Sequence, residues 1–478
     1  MLELPLRTLD EACRDLGYSG WRTIQKQALT EAESGRNGLV VLATGGGKSA
    51  IYQSLGLTRK GTTVVISPLI ALMDDQVKAL KAKGVKAEFI NSSMTASDKR
   101  RAVALLEAGD LEFVYVSPEK LGGDEFNMWM DNLHVGLIVI DEAHCCLQWG
   151  FDFRPSYTQI GSFCVKHPKA QVIAFTATAT PKDQQDIIKT LGLGDDVFRV
   201  ITNPDRANLE YNIVHTDFHY RSPSRMGKLV KLIEKHSTGP GIVYTATKKA
   251  ADELYLIIQG HRVFSRGKTI LKYHGDLTAK ERREASKIFA DAKDPFVIAT
   301  CAFGMGVDRP DIRQVFHYQP PGSLEAYFQE VGRAGRDGNP AQSYCLYNKG
   351  DRHLQEFFLH SEAWTEREYK DLVEKIHKAY PLKPEEDSGV YHLRKHLLAI
   401  QVVKKVWKLA YKPEEMYHRP EWVNMVNWAE AYIKAKRAML DKVDTLLSTS
   451  CCRREYLLNH FGFKPEKRYE SCCDNCYT

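Results

Sequence analysis

The 478-residue sequence lacks any run of about 18 uninterrupted apolar residues, which excludes an ordinary membrane-spanning helix. Its start, Met1-Leu2-Glu3-Leu4-Pro5, lacks a basic segment followed by an apolar one, so no secretory leader is expected there. It also lacks low-complexity tracts, and 43% hydrophobic with 26% charged residues is the make-up of folded protein, not of a disordered chain. Neither sign of charge dominates. A net charge of +6 permits a nucleic-acid partner without requiring one. The expectation is a soluble intracellular protein without membrane contact, nuclear in a eukaryote and otherwise in cytoplasm or nucleoid.

Cysteine is sparse over most of the chain. Cys13, Cys145, Cys146, Cys164, Cys301 and Cys345 stand far apart, as buried reduced thiols do, and form no disulfide framework. Cys451, Cys452, Cys472, Cys473 and Cys476 are crowded at the far end. One isolated cysteine plus three clustered ones supplies four thiolates, and Cys473-x-x-Cys476 is a metal-knuckle spacing, which predicts a closed, structural, tetrahedral zinc site.

The chain is too long for one hydrophobic core. Short apolar runs at 38–42, 63–67, 113–116, 137–140 and 172–175 alternate with helix-like sequence, the rhythm of a buried parallel sheet. The rhythm restarts after Pro204, with strand candidates at 241–244, 272–274, 297–300, 314–317 and 343–347. Beyond Asp351 the stretches 369–380, 390–409 and 423–447 carry apolar residues at helical spacing. The fold class predicted is α/β, with two tandem parallel-sheet lobes at 1–204 and 205–350 and a helical, zinc-binding region at 351–478.

After the first apolar run comes Thr44-Gly45-Gly46-Gly47-Lys48-Ser49, opening a helix. The glycines let backbone N–H groups face a phosphate, Lys48 neutralises it, and Ser49 is placed to hold Mg²⁺. Leu42 stands where the strict pattern has glycine. The run 137–140 leads into Asp141-Glu142-Ala143-His144. Asp141 is expected to bind Mg²⁺ and Glu142 to orient and deprotonate an attacking water, both halves of the site sitting at the ends of neighbouring strands. In the second lobe, Gln329-Glu330-Val331-Gly332-Arg333-Ala334-Gly335-Arg336 puts two arginines on one predicted helical face, either able to stabilise charge on a γ-phosphate.

In this order the residues resemble superfamily 2 helicases and, among them, the RecQ family. The likeness runs through Leu16-Gly17-Tyr18, Arg22 and Gln25, Thr44–Ser49, Ser67-Pro68-Leu69, Ser117-Pro118-Glu119, Asp141–His144, Thr176-Ala177-Thr178, Tyr273-His274-Gly275 and Gln329–Gly338, covering about 8–350 and resuming at about 430–476. The resemblance implies RecA-like lobes with ATP between them, the adenine held by Tyr18, Arg22 and Gln25. It implies an ATP-dependent helicase moving 3′→5′ on single-stranded DNA and unwinding duplex or branched DNA. The segment Gln148-Trp149-Gly150-Phe151-Asp152-Phe153-Arg154 resembles the family's aromatic-rich loop, which links DNA contact to hydrolysis with His144 as relay. The family's Cys-Arg-Arg pattern favours Cys452 as the first zinc ligand, with Cys451 beside it as an alternative. Many RecQ proteins space the last three cysteines evenly, whereas here Cys472 and Cys473 are adjacent.

The lysine-rich stretch 361–427 is longer than the family suggests, and either lengthens a DNA platform, docks a protein partner or is merely solvated. With the sequence ending at Thr478, the family's winged-helix domain is expected to be absent. An RNA-directed motor of the same superfamily and a non-catalytic DNA scaffold are the alternatives. The intact Lys48, Asp141, Glu142, Arg333 and Arg336 argue against the scaffold.

Overall fold

The structure, a computed structural model, describes residues 7–91, 94–121, 123–131, 133–147, 155–216, 223–236, 239–261, 268–304, 309–362, 425–466, 469 and 472–476. Seven strands form the first sheet: β1 (Gly38–Val41), β2 (Thr62–Ile66), β3 (Ala87–Ile90), β4 (Phe113–Val116), β5 (Val135–Ile140), β6 (Gln171–Thr176) and β7 (Phe198–Ile201). All pairings are parallel, in the order β3-β4-β2-β5-β6-β1-β7. Strands such as Phe113-Val114-Tyr115-Val116 are buried along their whole length because helices cover both faces.

The second lobe has six parallel strands, β8 (Leu209–His215), β9 (Gly241–Tyr244), β10 (Thr269–Tyr273), β11 (Pro295–Ala299), β12 (Gln314–His317) and β13 (Ala341–Tyr347), ordered β10-β11-β9-β12-β13-β8. Two tandem RecA-like parallel-sheet lobes are thus present. Three strands escape the apolar-run reading, and all three are sheet edges: β3, β7 and β8. An edge strand needs less apolar sequence, so Glu88, the exposed Arg199 and Glu210 interrupt the runs.

Among the described residues beyond β13 come the α-helices Asp351–Glu362, Met425–Ser448 and Arg453–His460. Val443, Leu446, Leu447, Leu457 and Phe461 join Leu209, Tyr211, Val315 and Phe328 in one apolar cluster, so the C-terminal helices complete the core of the second lobe. The Arg225–Asp351 ion pair, 2.6 Å and fully enclosed, pins the first of them. The predicted helices at 369–380 and 390–409, and nearly all of 361–427, lie outside the described residues. Among the described residues no helix is long and apolar enough to cross a membrane.

Candidate nucleotide cleft and metal centre

Strand β1 runs into the glycine loop, and the helix Lys48–Thr58 starts from Gly47 in the left-handed region, φ 85°. Glycine takes this φ without strain, and a Cβ there would stand 2.1 Å from Gln25 Nε2 and push that amide off Gly46 O. Lys48 Nζ donates to the Leu42 carbonyl at 3.2 Å, and the Leu42 side chain is buried in the lobe. The leucine in place of the pattern's glycine therefore serves the core and leaves its carbonyl to orient the lysine. Arg22 Nη1 donates to Gly45 O and Gln25 Nε2 to Gly46 O, each at 3.2 Å, while Gln25 Oε1 accepts from the Arg22 N–H at 2.9 Å. Tyr18 borders the same cleft, its ring 5.9 Å from Trp21 and 5.1 Å from Lys83 Nζ.

Asp141 follows β5. Its N–H donates to Ile66 O at 2.9 Å, its carboxylate accepts from Ser67 Oγ at 3.2 Å, and its carbonyl accepts from Tyr157 Oη at 2.8 Å. Burial, then the neighbouring Glu142 carboxylate, push the Asp141 pKa up to about 7 against the pull of Lys48. Glu142 is the single non-glycine with positive φ among the described residues, at φ 48° and ψ 48°. That conformation turns the chain sharply after the strand and sends the Glu142 side chain into the cleft. Its Oε2 lies 3.3 Å from His144 Nδ1. The same nitrogen is 2.9 Å from Thr176 Oγ1, whose proton goes to Thr178 O, so Nδ1 is the donor. The strands carrying Lys48 and Asp141 are not neighbours as expected: β6 lies between β5 and β1, and its last residue, Thr176, holds His144.

From the second lobe come Gln329, on the helix Leu324–Val331, and Arg333 and Arg336. The expected helical face does not exist, because the helix ends at Val331 and both arginines lie in the turns beyond its cap, Gly332. Those turns are held from outside: Arg206 Nη1 donates to Gly332 O at 3.0 Å and Asn208 Nδ2 to Gly335 O at 2.8 Å. Gly335, φ 56°, has no room for a side chain, since its Cβ would meet Asn208 Nδ2 at 2.5 Å. Arg333 is buried and donates to the Gly304 carbonyl. Tyr18, Arg22, Gln25, Thr44, Gly45, Gly47, Lys48, Ser49, Asp141, Glu142, Gln329, Arg333 and Arg336 line one inter-lobe cleft of ≈ 870 Å³. Gly46 backs its floor through the Gln25 bond. Sequence reasoning assigned no role to Gln53, Gln76 and Lys83, which line it too, although Asp75-Gln76 belongs to the family likeness.

The second cluster is Cys452, Cys472, Cys473 and Cys476, whose sulfurs all lie within 4.8 Å of one another. Cys452 and Cys472 are 3.4 Å apart, as are Cys473 and Cys476. Cys451 is exposed and outside this group. The Arg453 N–H donates to Cys473 Sγ at 3.4 Å. Four sulfurs converging within 4.8 Å of one another are a donor set that fits a tetrahedral zinc ion. The cysteine segment also covers the free edge of β8, the Tyr211 N–H donating to Cys472 O at 3.2 Å. Of the proposed DNA-coupling residues, His144 is placed beside Glu142, whereas Trp149, Phe151, Phe153 and Arg154 lie outside the described residues.

Three family profiles match the chain: DEAD/DEAH box helicase over 22–187, helicase conserved C-terminal domain over 224–338 and RecQ zinc-binding over 416–477. The ATP-dependent DNA helicase RecQ of Synechocystis sp. is 31% identical over 487 residues, covering 98% of this chain and 98% of that protein. The chain belongs to the RecQ family. The RecQ helicase of Bacillus subtilis is 37% identical over 358 residues, 74% of this chain but 58% of the relative, so the chain spans little more than half of that protein's length. Among solved structures, the DEAD-box helicase Mss116 bound to ssRNA matches with a TM-score of 0.60 at 16% identity, over 95% of this chain and 93% of that one, a likeness of fold. The RecQ zinc-binding profile spans all four clustered cysteines.

Proposed function

We propose that this RecQ-family chain is an ATP-hydrolysing DNA motor that moves 3′→5′ along single-stranded DNA and opens duplex or branched DNA. The observation that carries the reading is the convergence of Lys48, Asp141 and Glu142 from one lobe with Gln329, Arg333 and Arg336 from the other in a single cleft. Phosphoryl transfer needs positioning and charge neutralisation above all, and this set supplies both. In this reading Tyr18, Arg22 and Gln25 hold the adenine, and the loop Thr44–Ser49 cradles the phosphates. Glu142 orients and deprotonates the attacking water, and the arginines stabilise the charge that develops on the γ-phosphate as ADP departs.

The buried Asp141, next to the Glu142 carboxylate and lining the same cleft as Ser49, fits a divalent cation, since a nearby positive charge is what would restore Asp141 to its ionised form. Ser49 and Asp141 would hold Mg²⁺, which when bound offsets the charge of the β- and γ-phosphates. The zinc ion is structural. The aromatic-rich segment 148–154 contacts the single strand and reports to the cleft through His144, and the 3′→5′ direction rests on the family resemblance.

Steady-state ATP hydrolysis without nucleic acid, with single-stranded DNA and with RNA tests the reading, with Lys48→Ala and Glu142→Gln as controls. Stimulation by DNA that both variants abolish is the expected result. Equal stimulation by RNA would favour the RNA-directed motor, and absence of hydrolysis under every condition would remove the motor. Displacement of a labelled strand from partial duplexes with a 3′ or a 5′ tail reads the direction.

A further inference from the structure

The turn Pro155–Gln159 follows directly on the aromatic-rich segment, and two hydrogen bonds tie it to motifs of the first lobe. Ser156 Oγ donates to Glu119 Oε1 at 3.0 Å, within Ser117-Pro118-Glu119. Tyr157 Oη donates to the main-chain carbonyl of Asp141 at 2.8 Å. The Tyr157 ring is fully enclosed, 0% exposed, and packs in the same cluster as Ala143, Cys145 and Cys146, the residues just past Glu142. The turn thus packs on both Pro118–Lys120 and Ala143–Cys146.

This contact falls at a sensitive place. The Asp141 N–H is fixed to Ile66 on β2, and its carboxylate to Ser67. The carbonyl held by Tyr157 belongs to the peptide that links Asp141 to Glu142, the residue with left-handed φ. Holding that carbonyl fixes the plane of the peptide, and with it ψ of Asp141 and the left-handed φ of Glu142, the torsions that aim the Glu142 side chain.

We propose that Tyr157 is a positioning residue: its hydroxyl sets the Asp141–Glu142 peptide, and through it a shift of the turn Pro155–Gln159 on DNA contact is passed to the carboxylate that activates water. The inference rests on the proposed DNA motor and adds the protein group that carries the signal. Tyr157 touches neither nucleotide nor DNA in this scheme. Its effect is on the orientation of Glu142, and so on kcat in the DNA-bound state.

The test is Tyr157→Phe in the full chain, with basal and single-strand-stimulated hydrolysis measured on one preparation, and single-strand affinity by fluorescence anisotropy. The ratio of stimulated to basal kcat is expected to fall on the order of tenfold, the rate equivalent of one buried hydrogen bond, with KM for ATP and DNA affinity unchanged. A misfolded fraction lowers both rates together and leaves the ratio alone, so a proportional loss would assign Tyr157 a merely structural role and overturn the proposal. An unchanged ratio, or a loss confined to DNA affinity, would overturn it as well. A wild-type rate indifferent to DNA would instead remove the motor reading, a result separable from the failure of Tyr157 alone.

Discussion

The side chain of Arg336 crosses the cleft to lie against Gly45: a methyl group built on that glycine would stand 3.2 Å from Arg336 Cδ. An arginine from the second lobe thus lies against the glycine loop of the first. Replacing Arg336 with Ala is predicted to lower DNA-stimulated kcat by about a thousandfold while moving KM for ATP little, since the group acts on charge developed during transfer. Gly45→Ala is predicted to weaken nucleotide binding as well, because φ 81° disfavours a side chain by roughly 1–3 kcal/mol in addition to crowding the arginine. Steady-state kinetics with titrated ATP separates the two effects.

The sulfur geometry selects among the five C-terminal cysteines. Cys473→Ser is predicted to lose the metal, and Cys451→Ala to keep about one zinc per chain, as read by metal analysis after gel filtration. Retention of full zinc by the Cys473 variant would dismiss the four-thiolate site. Because Cys472 O accepts from the β8 edge at Tyr211, loss of the ion is also expected to loosen the second lobe and lower its thermal midpoint.

Much of this fold was legible because buried parallel strands are written as continuous apolar runs, and the cleft because its glycines and carboxylates sit at strand ends. Three edge strands escaped because charged residues interrupt their apolar runs: Glu88 in β3, Arg199 in β7 and Glu210 in β8. The insertion of β6 between β5 and β1 follows from sheet order, which local sequence does not encode. Gly332 cost the arginines their helix, and the flanking glycines marked this without revealing Arg206 and Asn208 as the groups that hold the turns. Tyr157 carried no signal at all, being one aromatic after an aromatic-rich stretch. Its partner is a backbone carbonyl, which leaves no trace in residue type.

Arg454 anchors the zinc region to the second lobe. It is 1% exposed, donates to Asp205 Oδ1 at 2.6 Å and to Arg206 O at 2.8 Å, and its guanidinium lies 4.4 Å from the centre of the Tyr469 ring. Arg454→Met is predicted to cost about 3–5 kcal/mol, since it leaves Asp205, itself 1% exposed, as a buried charge without its ion-pair partner. The Lys248–Asp276 pair, with 52% and 66% of its side chains exposed, is the contrast: Lys248→Ala should cost at most about 1 kcal/mol. Chemical denaturation of the zinc-loaded proteins compares the two. Equal losses would contradict the burial argument.

Asp337, next to Arg336, gives the pH prediction. Its carboxylate is bonded to Arg313 and accepts from the Asn339 N–H at 3.1 Å and Asn339 Nδ2 at 3.0 Å. The Arg313 hydrogen bond, helped by Asn339, holds its pKa down to about 2 from an ordinary 3.8. A carboxylate whose folded pKa lies below its unfolded one stabilises the fold fully above the unfolded value, and that contribution fades as pH falls toward the folded one. Asp337→Asn removes the titration. The wild type should therefore exceed the variant in denaturant midpoint by a constant margin at pH 5 and above, and the margin should close between about pH 4 and pH 2. Solvent screens this partly exposed pair, so the margin is expected to be small. A margin that widens on acidification would have the wrong sign for a carboxylate held ionised by Arg313, and would mean that burial, not the arginine, governs this turn.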